Sequence, residues 1–133
     1  HIESLIYGEN IKSSESIQFQ IVESENQINL AISETENSNK LLVIKFYADW
    51  CVSCNKLERV VFSNSNVVQA LQSTLALTAD VTANNKGNQQ ILARFNLVGP
   101  PAILFFKDGK EQRSHRIIGE ISATDFLKHV NSL

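Results

Sequence analysis

An apolar run from Leu41 to Tyr47 stops at Ala48-Asp49, and Trp50-Cys51-Val52-Ser53-Cys54 follows at the point where a helical pattern begins. A strand that feeds a helix through Trp-Cys-x-x-Cys leaves few architectures open. It requires an abrupt turn from the end of a strand into a helix, with two thiols placed at that turn. Cys51 and Cys54 are the only two cysteines of the 133 residues, so they react with each other or with a partner.

Two thiols at this spacing divide a redox reaction between them. The first forms a mixed disulfide with a substrate, and the second displaces it intramolecularly. Cys51, at the helix start, is the expected nucleophile, because free N–H groups and the positive end of the helix dipole stabilise its thiolate. It is expected to lie exposed at the helix tip. Cys54, one turn further in, is expected to be more buried and to act as the resolving thiol. A structural disulfide this local closes almost no loop and has little entropic value. Zinc needs about four ligands, and His1, His115 and His129 are too scattered to complete a site by sequence. The expected redox element is therefore the Cys51–Cys54 disulfide itself, with no metal and no bound cofactor.

The length suits one domain with a sizeable core. A net charge of −2 gives no basic footprint for nucleic acid. No apolar run approaches the ~20 residues that span a bilayer, so the chain itself reads as soluble. No signal-peptide pattern is present, and a start at His1 rather than Met is what an excised domain would show.

The remaining pattern reads as alternating strands and helices. Residues 1–16 form a polar extension or linker, and the folded domain is expected to span 17–133. Ile17, Phe19 and Ile21 alternate as in a strand. Ile28 to Ile32 suggest a short helix that stops at Asn37-Ser38-Asn39. Leu41 to Tyr47 reads as a strand buried on both faces, and Leu57, Val60 and Val61 mark a helix from Cys51 to Phe62. Val67, Val68 and Leu71 add a turn or two of helix. Leu75 to Val81 is a strand, and Ile91, Leu92 and Phe95 mark a helix. Ala102 to Phe106 is a strand, and Asp108-Gly109 signals a hairpin into a strand from about Arg113 to Ile118. Ser122 caps the last helix, with Asp125 at capping-box spacing. Parallel crossovers plus an antiparallel edge make a three-layer α/β/α sandwich with a mixed sheet.

Two acids sit near the thiols in sequence. Glu58 falls on the same helix face as Cys51 and Cys54, and Asp49 lies two residues before Cys51. Either carboxylate disfavours a further negative charge and raises a thiol pKa. The alternatives are a solvated helix face for Glu58 and a plain loop charge for Asp49. Trp50 reads as an apolar wall beside the thiols or as a core aromatic. The intervening Val52-Ser53 pair is neutral, which favours a reductant nearer thioredoxin (~−270 mV) than the strong oxidant DsbA (~−120 mV).

With Gly99-x-Pro101 before a later strand, this order resembles the thioredoxin fold over residues 17–133. Phe46 to Cys54, Leu57-Glu58, Val61-Phe62-Ser63, Asp80 to Asn84 and Pro101 to Phe106 are similar more narrowly to the C-terminal periplasmic domain of the DsbD family of thiol:disulfide interchange proteins. The resemblance implies a monomeric protein-disulfide reductase domain on the periplasmic side of the bacterial inner membrane, within a membrane-bound parent. It would take electrons from the parent's transmembrane domain and pass them to its N-terminal domain through transient mixed disulfides. That route serves disulfide isomerases and cytochrome c biogenesis. A stand-alone thioredoxin or a cytochrome c maturation reductase is the neighbouring alternative. A peptide-binding module on the same scaffold is another, which the intact cysteine pair disfavours.

The resemblance also assigns residues. Glu58 matches an acidic position near the family's active site. Pro101 matches the cis-proline beside the disulfide. Pro100 departs from the pattern, because it has no N–H to offer a substrate strand. Lys45 departs too, standing where the family carries an acid that assists the resolving thiol. A lysine in a buried strand must snorkel, pair with a carboxylate or lose its charge; Glu58 is one possible partner, and a structural ion pair is favoured over a catalytic lysine.

Overall fold

The computed structural model describes residues 17–133, so the extension at 1–16 lies outside the described residues. The central strand, β2 (Leu41–Tyr47), is the apolar run identified from sequence. It pairs in parallel with β3 (Leu75–Asp80), which pairs in parallel with β1 (Gln20–Val22). On its other side β2 runs antiparallel to β4 (Ala102–Lys107), and β4 carries the short antiparallel strands β5 (Lys110–Glu111) and β6 (Ile117–Ile118). The order β1-β3-β2-β4-β5, with β6 on β4, is the expected mixed sheet.

The continuous apolar character of β2 and β4 follows from burial on both faces. Leu42, Ile44 and Phe46 join Leu104 and Phe106 in one cluster, together with Ile28 and Ala31 of α1 (Glu25–Thr35) and Ile91 of α4 (Lys86–Arg94). Val43, Ile103 and Phe105 point the other way. They meet Leu57 of α2 (Val52–Val60), Val67 of α3 (Ser65–Ala70) and Phe126 of α5 (Ala123–Asn131). Each fully buried Leu, Ile or Phe contributes ~1.5–3 kcal/mol relative to exposure.

Polar side chains fix where the helices begin. Ser24 and Gln27 form a capping box at α1, and Asn85 and Asn88 form another at α4. The Ser122 hydroxyl accepts the Asp125 N–H at the start of α5. The β4–β5 hairpin turns on Asp108 and Gly109, with φ of 53° and 79°, the type I′ region that Asp-Gly favours.

Two expectations need correction. The first strand is shorter than Ile17–Val22, and Ile21 is 64% exposed. Ile17 and Phe19 do pack on the second cluster, but Ile21 stands on the edge strand β1 and lines an open groove. The strand expected from Arg113 to Ile118 is broken by a 3₁₀ turn at Arg113–His115. Arg116 folds back there, donating to both Glu111 carboxylate oxygens at 2.6 and 2.9 Å and to the Phe95 carbonyl at 2.8 Å.

Candidate active site

The thiols sit where β2 hands the chain to α2. Cys51 is the N-cap of α2: its backbone is extended, and its Sγ accepts the Cys54 N–H at 3.2 Å. The two cysteines are joined as a disulfide, their Cα atoms 5.2 Å apart. The exposed position expected for Cys51 is not observed. Cys51 is 7% exposed and Cys54 2%, and both belong to the cluster of Phe46 and Ala48. The cap explains this, because a sulfur turned to face the Cys54 N–H is turned towards the sheet. Exposure falls instead on the flanking residues Trp50 and Val52. On reduction, a Cys51 thiolate at this cap faces free N–H groups and the positive end of α2.

The loop before Cys51 is held from outside the motif. Val81 donates its N–H to the Tyr47 carbonyl at 2.8 Å. The Thr82 hydroxyl accepts the Asp49 N–H at 2.9 Å, and the Thr82 carbonyl accepts the Trp50 indole N–H at 3.0 Å. Trp50 is therefore an anchored, 60% exposed wall and not a core aromatic. The Asp49 carboxylate accepts from the Tyr47 hydroxyl at 2.9 Å, which pushes the phenol pKa above its ordinary value. On the far side of the motif, Ser53 donates to Glu120 at 2.7 Å, and Lys56 pairs with the same carboxylate at 3.1 Å. The Ser53 hydrogen bond, then Lys56, holds the Glu120 carboxyl below the usual carboxylate range.

Thr82 and Glu120 were missed from sequence. Thr82 had a signal, since it lies in the Asp80 to Asn84 segment that carries the resemblance. Glu120 had none, because only the fold brings the loop after β6 to the first turn of α2.

Lys45 is buried, and its Nζ meets Glu58 Oε2 at 2.5 Å. The ammonium also lies 3.8 Å from the Phe19 ring centroid and 4.5 Å from that of Phe62. Burial lowers its pKa, and the hydrogen bond and charge of Glu58 offset part of that shift. The expected Lys45–Glu58 pair is thus present. The Pro100–Pro101 peptide bond is cis, and Gly119 donates its N–H to the Pro101 carbonyl at 3.2 Å. Lys45, Cys54, Glu58 and Pro101 line one cavity of about 10 Å³. Asp49, Trp50 and Pro100 are not part of it. No cluster of three or more metal-ligating side chains occurs among the described residues. His115 and His129 are half-buried and face each other, centroids 5.1 Å apart. A disulfide at a helix cap, beside an anchored aromatic wall, is chemically equipped for exchange with an incoming thiolate.

The comparisons agree with this geometry. A thioredoxin-like family model matches residues 23–108. The chain is 40% identical over 98 residues to the thiol:disulfide interchange protein DsbD of Pseudomonas sp. (strain JR1 / K1), a match covering 73% of this chain and 17% of that protein. It is 38% identical over 117 residues to DsbD of Yersinia pestis, covering 87% and 19%. The chain thus spans less than a fifth of the length of these curated relatives. The oxidised C-terminal domain of Neisseria meningitidis DsbD superposes with a TM-score of 0.72 at 26% identity, covering 84% of this chain and 97% of that one. Fasciola hepatica thioredoxin, at 20% identity and a TM-score of 0.68 over 86% of this chain and 98% of its own, shares the fold. Among the described residues, no helix is long and apolar enough to cross a membrane. The chain belongs to the thioredoxin-like family, as a homologue of DsbD whose structural counterpart is the DsbD C-terminal domain.

Proposed function

We propose that this chain is a protein-disulfide reductase domain that relays electrons by thiol–disulfide exchange through Cys51 and Cys54. Its donor is the membrane-embedded domain of a DsbD-like parent, and its acceptor is the parent's N-terminal domain on the periplasmic side of the inner membrane. Cys51 captures the partner sulfur, and Cys54 resolves the mixed disulfide. No bound cofactor takes part. The observation that carries the reading is the Cys51–Cys54 disulfide at the cap of α2, in a chain that covers nearly the whole of a DsbD C-terminal domain.

The neighbouring residues fit roles in that reaction. Trp50 forms the apolar side of the docking surface. Pro101 and Glu58 line the small cavity with Cys54, and Asp49 places a carboxylate in the loop just before Cys51. Pro100 withholds one backbone donor from a docked strand, a difference of ~1 kcal/mol net, so partner choice rests more on side chains. The neutral Val52-Ser53 pair favours the reducing direction.

Insulin reduction with a dithiol donor tests the activity. Turnover that disappears in Cys51→Ala is expected, and a wild-type protein with no turnover contradicts the reading. Routing is tested separately with Cys54→Ala, which should hold the N-terminal domain of DsbD in a stable mixed disulfide.

A further inference from the structure

The turn that carries the disulfide is held by two loops, and the two holds differ in kind. In the loop after β3, Thr82 accepts the Asp49 N–H and the Trp50 indole N–H, both through neutral hydrogen bonds. In the loop between β6 and α5, Glu120 reaches the first turn of α2 with a carboxylate. Its Oε2 accepts the Ser53 hydroxyl at 2.7 Å, and its Oε1 lies 3.1 Å from the Lys56 ammonium. Ser53 stands between Cys51 and Cys54, so this contact falls inside the redox motif.

The residue before Glu120 ties the same loop to the proline that shares a cavity with Cys54. Gly119 donates its N–H to the Pro101 carbonyl at 3.2 Å. Its φ of 90° is a conformation that glycine adopts without a steric penalty. Pro101 and Cys54 line one small cavity. Two adjacent residues thus join the disulfide turn to the Pro101 segment. The far end of the loop is anchored as well, because Ile121 packs on the second apolar cluster and Ser122 caps α5.

Exchange on the reading proposed above is a displacement at sulfur, so the attacking, central and leaving sulfurs must align. The Cys51 thiolate attacks one sulfur of a partner disulfide, and the other partner sulfur leaves as a thiolate. Cys54 then gives its proton to water, attacks Cys51 Sγ and releases the first partner sulfur as a second thiolate. The domain ends as a disulfide, and the partner has gained two electrons. Each step depends on where the partner chain lies relative to the turn. We infer that Glu120 is a positioning residue for this exchange: it straps the Gly119–Pro101 segment to Ser53 and Lys56, and so fixes the gap in which a disulfide-bearing peptide segment docks. Glu120 acts through Ser53 and Pro101 and touches no reacting atom. Glu120 and Lys56 are both about half exposed, and exposed ion pairs add little to stability. The strap therefore acts on docking geometry and not on the survival of the fold.

Insulin reduction with dithiothreitol as donor reads the docked reaction. Alkylation of the reduced protein by iodoacetamide reads the bare reactivity of Cys51, which needs no docked segment. Glu120→Ala should lower kcat/KM for insulin about fivefold, the scale of one lost hydrogen bond at a part-exposed site, with most of the change in KM. Alkylation should change less than about twofold, because the thiol keeps its place at the helix end. Glu120→Gln still accepts the Ser53 hydroxyl and should restore most of kcat/KM. Ser53→Ala should match Glu120→Ala, and the double variant should be no worse than either alone, because the two residues form one contact. The urea midpoint should stay at the wild-type value. Wild-type kcat/KM in Glu120→Ala overturns the inference. So does an equal fall in alkylation, which places the effect on the thiol itself, and so do additive losses in the double variant. Should Glu120→Ala fail to fold, Ser53→Ala decides in its place, and an unchanged kcat/KM for insulin overturns the inference. Absence of turnover in the wild type refutes the exchange reading instead.

Discussion

On one face of β2, Leu42, Ile44 and Phe46 enter the apolar cluster that also contains Cys51 and Cys54. On the other face, Val43 enters a second apolar cluster, but Lys45 points beside it and meets Glu58, Phe19 and Phe62. One strand thus carries dry packing on one side and a buried charge on the other, two residues apart. Packing holds the disulfide in position on one face, and a buried ion pair is held on the other. Substitutions on the two sides should therefore separate stability from chemistry.

The sharpest separation comes from the cysteine itself. Cys51→Ala should abolish insulin reduction while costing the reduced protein only ~1 kcal/mol, the usual value of an N-cap. The check is turnover alongside urea denaturation. Phe126→Ala should do the reverse. Phe126 is fully buried, 5.7 Å from the Phe62 ring centroid. Its removal should cost about 3–5 kcal/mol in denaturation, with turnover kept at temperatures where the variant stays folded. Thr82→Val lies between the regions. It removes the acceptor for the Asp49 N–H, costs ~1 kcal/mol, and should lower activity by loosening the Trp50 loop more than it lowers stability.

The smallest expected effect is a slope in pH. Burial places the folded-state pKa of Lys45 below its ordinary value of 10.5. Between those two values the unfolded chain binds more protons, so the Lys45 contribution becomes more favourable as pH rises through that window. Below the folded pKa the penalty of the buried cation is fully present. Tyr47 has the opposite sign. Its pKa is raised above 10.0, so its contribution is complete below 10.0 and is lost as pH climbs past the folded value. The difference between wild type and Lys45→Met, measured by denaturation across the alkaline range, isolates the lysine. It should show wild type gaining on the variant as pH rises, and a flat difference would show that the ammonium is not strained by burial.

Much of this was legible in the sequence because it rests on local pattern. The continuous apolar run of β2, the Asp108-Gly109 turn and the Ser122 cap each follow from a few adjacent residues. Pairing of Lys45 with Glu58 was also legible, because a buried lysine needs an acid and α2 offers one. The depth of Cys51 was not. Helix N-terminal position suggests exposure, but whether a cap side chain faces outward depends on which N–H it accepts. The exposure of Ile21 escaped because alternation gives a face without saying that the strand lies at the sheet edge beside an open groove. The break at Arg113–His115 depends on Arg116 reaching both Glu111 and the Phe95 carbonyl, and the second partner lies 21 residues earlier. Glu120 depends on a loop meeting α2 across 67 residues of sequence, which no local pattern encodes.

The most direct measurement is limiting alkylation of the reduced protein with iodoacetamide, followed by peptide mapping over time. Labelling of Cys51 well before Cys54, with loss of reductase activity in step with the Cys51 label, is the predicted result. Faster labelling of Cys54, or full activity after Cys51 is blocked, would contradict the assignment of the helix-cap sulfur as the attacking group.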